Sequence, residues 1–226
     1  MSDTCQIGML LFPKVTQLDL TGPAQFLSRV PGARLHLVWK DLAPVMTDAG
    51  FTINPTVDFS GCPQFDVLCV PGGFGITQLL EDRETLAFLQ RQGEGARYVT
   101  SVCNGSLVLG AAGLLRGYRA ACHWAWRHYL PRFGAIPVAE RIVRDRNRIS
   151  GGGVTAGIDF ALALAAELAG EETAKLLQLG LEYDPQPPFD CGTPEQAGEK
   201  RVAVYDSLVA QRMRAADEVI ARVALA

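Results

Sequence analysis

Short, unbroken apolar runs alternate with stretches of helical spacing along most of this chain. Ile7 to Phe12 (IGMLLF) is apolar at every position and stops at Pro13. A strand buried on both faces has this pattern, whereas a half-exposed strand alternates. Leu35 to Trp39 predicts a second strand, and Val67 to Val70 (VLCV), closed by Pro71-Gly72-Gly73, a third. Tyr98 to Val102 (YVTSV) is β-branched and aromatic and runs straight into Cys103, Asn104 and Gly105. Arg141 to Arg144 and Arg148 to Ser150, separated by Asp145-Arg146-Asn147, predict a hairpin.

The intervening segments read as helices. Pro23 suits the first turn of a helix through Gln25, Phe26 and Leu27. Leu79, Leu80, Leu86 and Leu89 recur at near-helical spacing, and Ser106 to Ala112 predicts a short helix. After Gly151-Gly152-Gly153 an Ala/Leu-rich helix is expected from Thr155 to Leu168, then another from Glu171 to Leu181. Pro185 to Pro194 predicts a surface loop before a final helix over 195–224. Its apolar Val204, Leu208, Met213, Ile220 and Val223 suit packing or a dimer contact rather than DNA reading. This alternation predicts an α/β sandwich with a mainly parallel sheet, whose ligands bind beyond the carboxyl ends of the strands.

Composition narrows the picture. The 226 residues suit one domain over 1–226, and a formal charge of −3 argues against a nucleic-acid partner. No uncharged apolar run approaches the roughly 18 residues of a membrane span, and Met1-Ser2-Asp3-Thr4 lacks a basic leader, so no membrane partner is expected. The six cysteines are scattered without a CxxC pair, which fits a reducing, cytoplasmic setting.

Cys103 is the sharpest chemical feature. It stands where a strand ends and a helix begins, as in a nucleophile elbow, where a helix N-terminus is expected to favour the thiolate. The competing role, a small buried hydrophobe, is expected of Cys5, Cys62, Cys69, Cys122 and Cys191. Asp19 lies in the segment after the first strand and can reach the same sheet edge. It reads equally as a helix N-cap or first-turn acid and as a partner of Cys103, its pKa raised for proton transfer by an apolar setting. Pro71-Gly72-Gly73-Phe74-Gly75 offers backbone N–H groups of the kind an oxyanion site requires, but lacks the partner residues of a Walker loop. Gly151-Gly152-Gly153-Val154-Thr155 is a second close-approach loop, equally suited to tight packing. His36 reads as a structural strand residue. His123 and His128 are five apart, so no metal site is expected, while a spatial pairing of His123 with Cys103 stays open.

The segments SVCNGSLVLGAAGLL, FPKVTQLDLTGP, VPGG, SGGGVTAGIDFALAL and EYDPQPPFDCGTP together resemble the ThiJ/PfpI superfamily over nearly the whole chain, and within it the branch that hydrates isonitriles. The resemblance implies a flavodoxin-like sandwich, a homodimer, no cofactor, and cofactor-free hydration of an isonitrile to an N-substituted formamide; the expected partner is a small apolar isonitrile, and the expected route a covalent Cys103 thioimidate. It maps the nucleophile onto Cys103 and the acidic partner onto Asp19; the loops read above are expected to bring Gly72, Gly73, Asn104, Gly152 and Val154 to the substrate or oxyanion. Phe74, Trp124, Trp126 and Phe189 are further lining residues or core. In that branch a Thr follows the cysteine, whereas here it is Asn104, a bulkier amide with two donors and one acceptor. Two alternatives share the framework: a non-enzymatic small-molecule or redox sensor, and a glyoxal-responsive stress protein, whose branch usually has Glu where this chain has Asp19.

Overall fold

Residues 4–224 are described by the computed structural model; Met1-Ser2-Asp3, part of the segment read above for a basic leader, lies outside them, as do residues 225–226. The central sheet has seven strands: β1 (Cys5–Leu10), β2 (Ala33–Trp39), β3 (Val57–Asp58), β4 (Val67–Val70), β5 (Tyr98–Val102), β6 (Ile142–Asp145) and β7 (Arg148–Gly151). Their order is β6-β7-β5-β4-β1-β2-β3. All neighbours are parallel except β6 and β7, the predicted hairpin. The VLCV strand is buried at all four positions, as a strand covered on both faces must be.

Helices α1 (Gln17–Leu27), α2 (Ile76–Leu79), α3 (Arg83–Gly95), α4 (Gly105–Ala111), α5 (Ala156–Ala169), α6 (Glu171–Gly180), α7 (Pro194–Ala197) and α8 (Glu199–Val223) complete the fold. α1 packs on α5 and α5 on α6, while α3 packs on α4. Phe12, Phe65, Phe88 and Phe160 are fully buried in the core. Among the described residues no helix is long and apolar enough to cross a membrane. The fold is the mainly parallel α/β sandwich expected from the alternation of elements, in the flavodoxin-like form that the resemblance implies.

Chain order decides where a ligand can sit. From β1 the chain moves one way across the sheet to β2; from β4 it moves the other way to β5. The crevice at such a reversal, beyond the carboxyl ends of β1 and β4, is the ligand position of open α/β sheets.

Three boundaries differ from the sequence reading. Helix α1 begins six residues before Pro23, which lies inside it. Pro23 forfeits a hydrogen bond to the Asp19 carbonyl, yet burial of Leu20, Phe26 and Leu27 holds the helix. The leucine-rich stretch from Leu79 to Leu89 breaks at Asp82, whose side chain caps α3 by accepting from the Thr85 N–H. The final helix is interrupted at Gly198, where φ is +76°. Cys191 is exposed in the preceding loop, not a packing residue as expected, because that loop buries almost nothing.

Candidate functional site

β5 ends at Val102 and α4 starts at Gly105, so the chain must reverse within two residues. Cys103 absorbs the turn with a left-handed backbone, φ +59°. This is an uncommon conformation for a residue with a Cβ, and it marks functional corners. The Cys103 N–H donates to Gly151 O at 3.1 Å, and Ser106 Oγ donates to Cys103 O at 3.2 Å. A Cβ on Gly105 would lie 2.2 Å from Val70 O, so α4 can start this close to β4 only with glycine there.

Asp19, in the first turn of α1, is fully buried, and its Oδ2 accepts the Gly72 N–H at 3.0 Å. Its Oδ1 has no hydrogen-bond partner among the described residues. Asn104 is the N-cap of α4, yet its side chain does not cap that helix. Instead, Asn104 Oδ1 accepts the Gly73 N–H at 2.8 Å. Gly72 is the meeting point of these groups: a Cβ there would lie 2.4 Å from Asn104 Oδ1, 2.8 Å from Asp19 Oδ2 and 2.8 Å from Cys103 Cβ. The Gly72 and Gly73 N–H groups are therefore engaged by side chains rather than open to an oxyanion, contrary to the expectation for this loop.

Burial dominates the electrostatics. It pushes the Asp19 carboxyl up to about 7, against the pull of the Gly72 N–H and the Cys103 thiol, with Asp48 adding to the rise. Burial likewise drives the Cys103 thiol well above its usual value, reinforced by Asp19 and Cys122 and opposed by the Asn104 N–H. The expected stabilised thiolate is thus reversed, since the short α4 dipole cannot offset desolvation of a thiol only 6% exposed. His123 is pushed down to about 4 by burial, with Arg127 adding to the effect. Its Nδ1 accepts the Ala125 N–H at 3.3 Å, so the neutral ring carries its proton on Nε2.

Cys103 opens into a cleft of about 230 Å³ lined by Thr16, Asp48, Gly73, Phe74, Asn104, His123, Trp126, Val154 and Tyr205. Tyr205 of α8 packs against Trp124 at 5.1 Å and against His123 at 6.3 Å between ring centroids. A thiol that opens into a small and largely apolar cleft, backed by a fully buried acid that titrates near neutrality, can with that acid add S–H across an electrophilic carbon.

The sequence profile of the DJ-1/PfpI family matches residues 6–167, which carry β1 through most of α5. The chain belongs to the DJ-1/PfpI family. Within this DJ-1/PfpI setting it is 60% identical over 192 residues to isonitrile hydratase from Pseudomonas putida, covering 85% of this chain and 84% of that protein. It is 33% identical over 189 residues to the HTH-type transcriptional regulator GbdR of Pseudomonas aeruginosa, covering 79% of this chain but 50% of the regulator. Among solved structures, a THiJ/PfpI family protein from Pseudomonas syringae superposes with a TM-score of 0.93 at 48% identity, covering 97% of this chain and 91% of that one. DJ-1beta from Drosophila melanogaster superposes at 0.73 with 22% identity, covering 80% of this chain and 100% of that one, a likeness of fold.

On this DJ-1/PfpI frame, Asp19, Gly72, Gly73, Cys103 and Asn104 come together, and Phe74, Trp126 and Val154 face the cleft. Gly152 does not join them: its N–H donates to Arg141 O, and it lines an adjacent space of about 340 Å³. Trp124 backs onto Tyr205 beside that space, and Phe189 is 79% exposed, away from the cleft. Thr16, Asp48 and Tyr205 were not singled out in the sequence. Thr16 sits inside the FPKVTQLDLTGP segment, but Asp48 is in an unpatterned turn and Tyr205 lies on a helix whose spacing signals only packing.

Proposed function

We propose that this protein hydrates isonitriles to N-substituted formamides, with Cys103 as nucleophile and Asp19 as proton carrier. The observation that carries the reading is the 60% identity to an isonitrile hydratase over most of both chains. The buried Cys103–Asp19 arrangement beside an apolar cleft supports the same chemistry.

The reactive form pairs a neutral thiol with an ionised Asp19. Asp19 takes the thiol proton and passes it to the terminal isonitrile carbon as sulfur bonds to that carbon, giving the thioimidate R–N=CH–S–Cys103. Asp19 then accepts a proton from water as the water oxygen adds to the same carbon. Asp19 hands that proton to the nitrogen, giving R–NH–CH(OH)–S–Cys103, and as this adduct collapses the C–S bond breaks, the hydroxyl proton passes to sulfur and R–NH–CHO is released. One isonitrile and one water are consumed, and one formamide leaves. Asn104 supplies its own backbone N–H toward the sulfur, while Gly72 and Gly73 act through the side chains they hold. His123, neutral and donating only from Nε2, has a hydrogen-bonding rather than a basic role.

The reading also takes the protein to act as a homodimer in the cytoplasm. Support comes from six free cysteines and from exposed Leu176, Leu179, Val204 and Leu208 on α6 and α8. Sedimentation of the full chain tests the dimer. For the activity, the purified protein and Cys103→Ala are incubated with a panel of isonitriles and formamide is followed. Turnover by the parent and none by the variant is expected. A parent that turns over no isonitrile ends the hydratase assignment, and an active alanine variant ends the role of Cys103.

A further inference from the structure

The cleft at Cys103 is not a closed cup. Asp48, Phe74 and Trp126 line both that cleft and a larger chamber of about 530 Å³, to which Lys14 and Arg212 contribute. The two cations arrive from distant parts of the chain, Lys14 from the turn after β1 and Arg212 from α8. The Arg212 guanidinium lies over the Phe74 ring, 4.2 Å from its centroid, so a wall shared by both spaces carries a positive charge. Neither cation belongs to any ion pair of the described residues. Asp48 is the chamber's one acid among its lining residues, and its Oδ1 already accepts the Gln17 N–H at 3.1 Å.

Lys14 supplies a second, independent observation. Its backbone is left-handed, φ +62°, a conformation that costs a residue with a Cβ about 1–2 kcal/mol and that Gly or Asn adopts more easily. The backbone is fastened there by its N–H to Met46 O at 2.8 Å and by the Gly75 N–H to its own carbonyl. The fastened turn thus holds Lys14 among the residues that line the chamber.

We propose that this chamber is a subsite for an anionic tail, and that the preferred substrates are isonitriles whose nitrogen substituent ends in a carboxylate beyond an apolar spacer. The spacer passes Phe74 and Trp126, the carboxylate pairs with Lys14 and Arg212, and the isonitrile carbon lies at Cys103. The inference rests on the isonitrile-hydrating reading, but the chamber can be tested apart from it.

Two measurements separate them. Turnover of isocyanohexanoate is compared with that of its methyl ester, and of isocyanoacetate with its ester, at low and high salt. Binding of formamidohexanoate and its methyl ester to Cys103→Ala is measured by calorimetry, where no chemistry is required. The expected result is a carboxylate preference of about five- to ten-fold in kcat/KM for the long compound, shrinking with salt. The short one, unable to reach the chamber, shows none, and the same preference appears in binding to Cys103→Ala. Lys14→Asn, which tolerates the left-handed backbone, and Arg212→Gln each bring the acid-to-ester ratio toward one. An ester bound to Cys103→Ala as tightly as the acid, or a ratio untouched by both substitutions, overturns the proposal. Discriminating binding without any turnover instead sinks the hydratase reading and leaves the anionic subsite standing.

Discussion

Asn104 Oδ1 accepts the Gly73 N–H at 2.8 Å, so the residue after the corner cysteine ties the end of β5 to the loop that follows β4. Both groups are buried, and neither has water as an alternative partner once the tie is cut. Asn104→Leu is nearly isosteric but removes the acceptor. It should cost about 1–3 kcal/mol, the desolvation penalty of an orphaned amide, measured as a lower urea midpoint at unchanged m-value.

Asp19→Asn separates stability from chemistry. A carboxyl raised from 3.8 to about 7 by burial favours folding in its neutral form, so the parent loses stability as pH climbs from about 4 through about 7. At about 1.4 kcal/mol per pKa unit the ceiling on that loss is about 4 kcal/mol. The variant should therefore melt above the parent at pH 8 and approach it at pH 5. A helix-capping acid gives the opposite sign, about 1 kcal/mol of lost stability.

The same titration sets the pH dependence of turnover. In the proposed mechanism the reactive form has Asp19 ionised and the Cys103 thiol still protonated, so kcat/KM should rise through about pH 7 and then level off. Asp19→Asn should remove that limb and lower the rate by at least about 100-fold. A profile falling across the same range would mean that Asp19 enters as the acid.

Gly72→Ala should be more damaging to activity than its one methyl suggests. The added Cβ overlaps Asn104 Oδ1 and crowds both Asp19 Oδ2 and Cys103 Cβ, so all three must move together. A displacement of this kind is expected to cut kcat by about 100-fold. A full-rate Gly72→Ala enzyme would contradict the tight packing of these groups.

Alkylation distinguishes the thiols. Iodoacetamide should label exposed Cys191 first and Cys103 slowly, because burial keeps Cys103 protonated. Peptide mapping against time gives the order, and Cys103 labelled ahead of Cys191 would show that its thiol is already ionised.

Much of the fold was legible because buried parallel strands leave a plain signature. The β4 and β5 limits follow directly from VLCV and YVTSV, each flanked by residues that cannot continue a doubly buried strand. The start of α1 was not legible: Pro23 reads as a first-turn residue on local grounds, and only packing that no local window contains overrides it. At the site, Cys103 and Asp19 could be placed at one sheet edge from chain order. Their partners could not, since Gly72 and Asp19 are 53 residues apart and Gly73 and Asn104 are 31 apart. The thiol's titration was misjudged for a related reason. A helix N-terminus is visible in a sequence, whereas the burial that outweighs it is not.

The family profile ends at residue 167, while from α8 Tyr205 reaches the Cys103 cleft and Arg212 the neighbouring chamber. The corner cysteine and part of the wall around its cleft thus come from distant stretches of one chain. A substitution at Tyr205 therefore reshapes the cleft from α8 while leaving the β5–α4 corner that carries Cys103 unchanged.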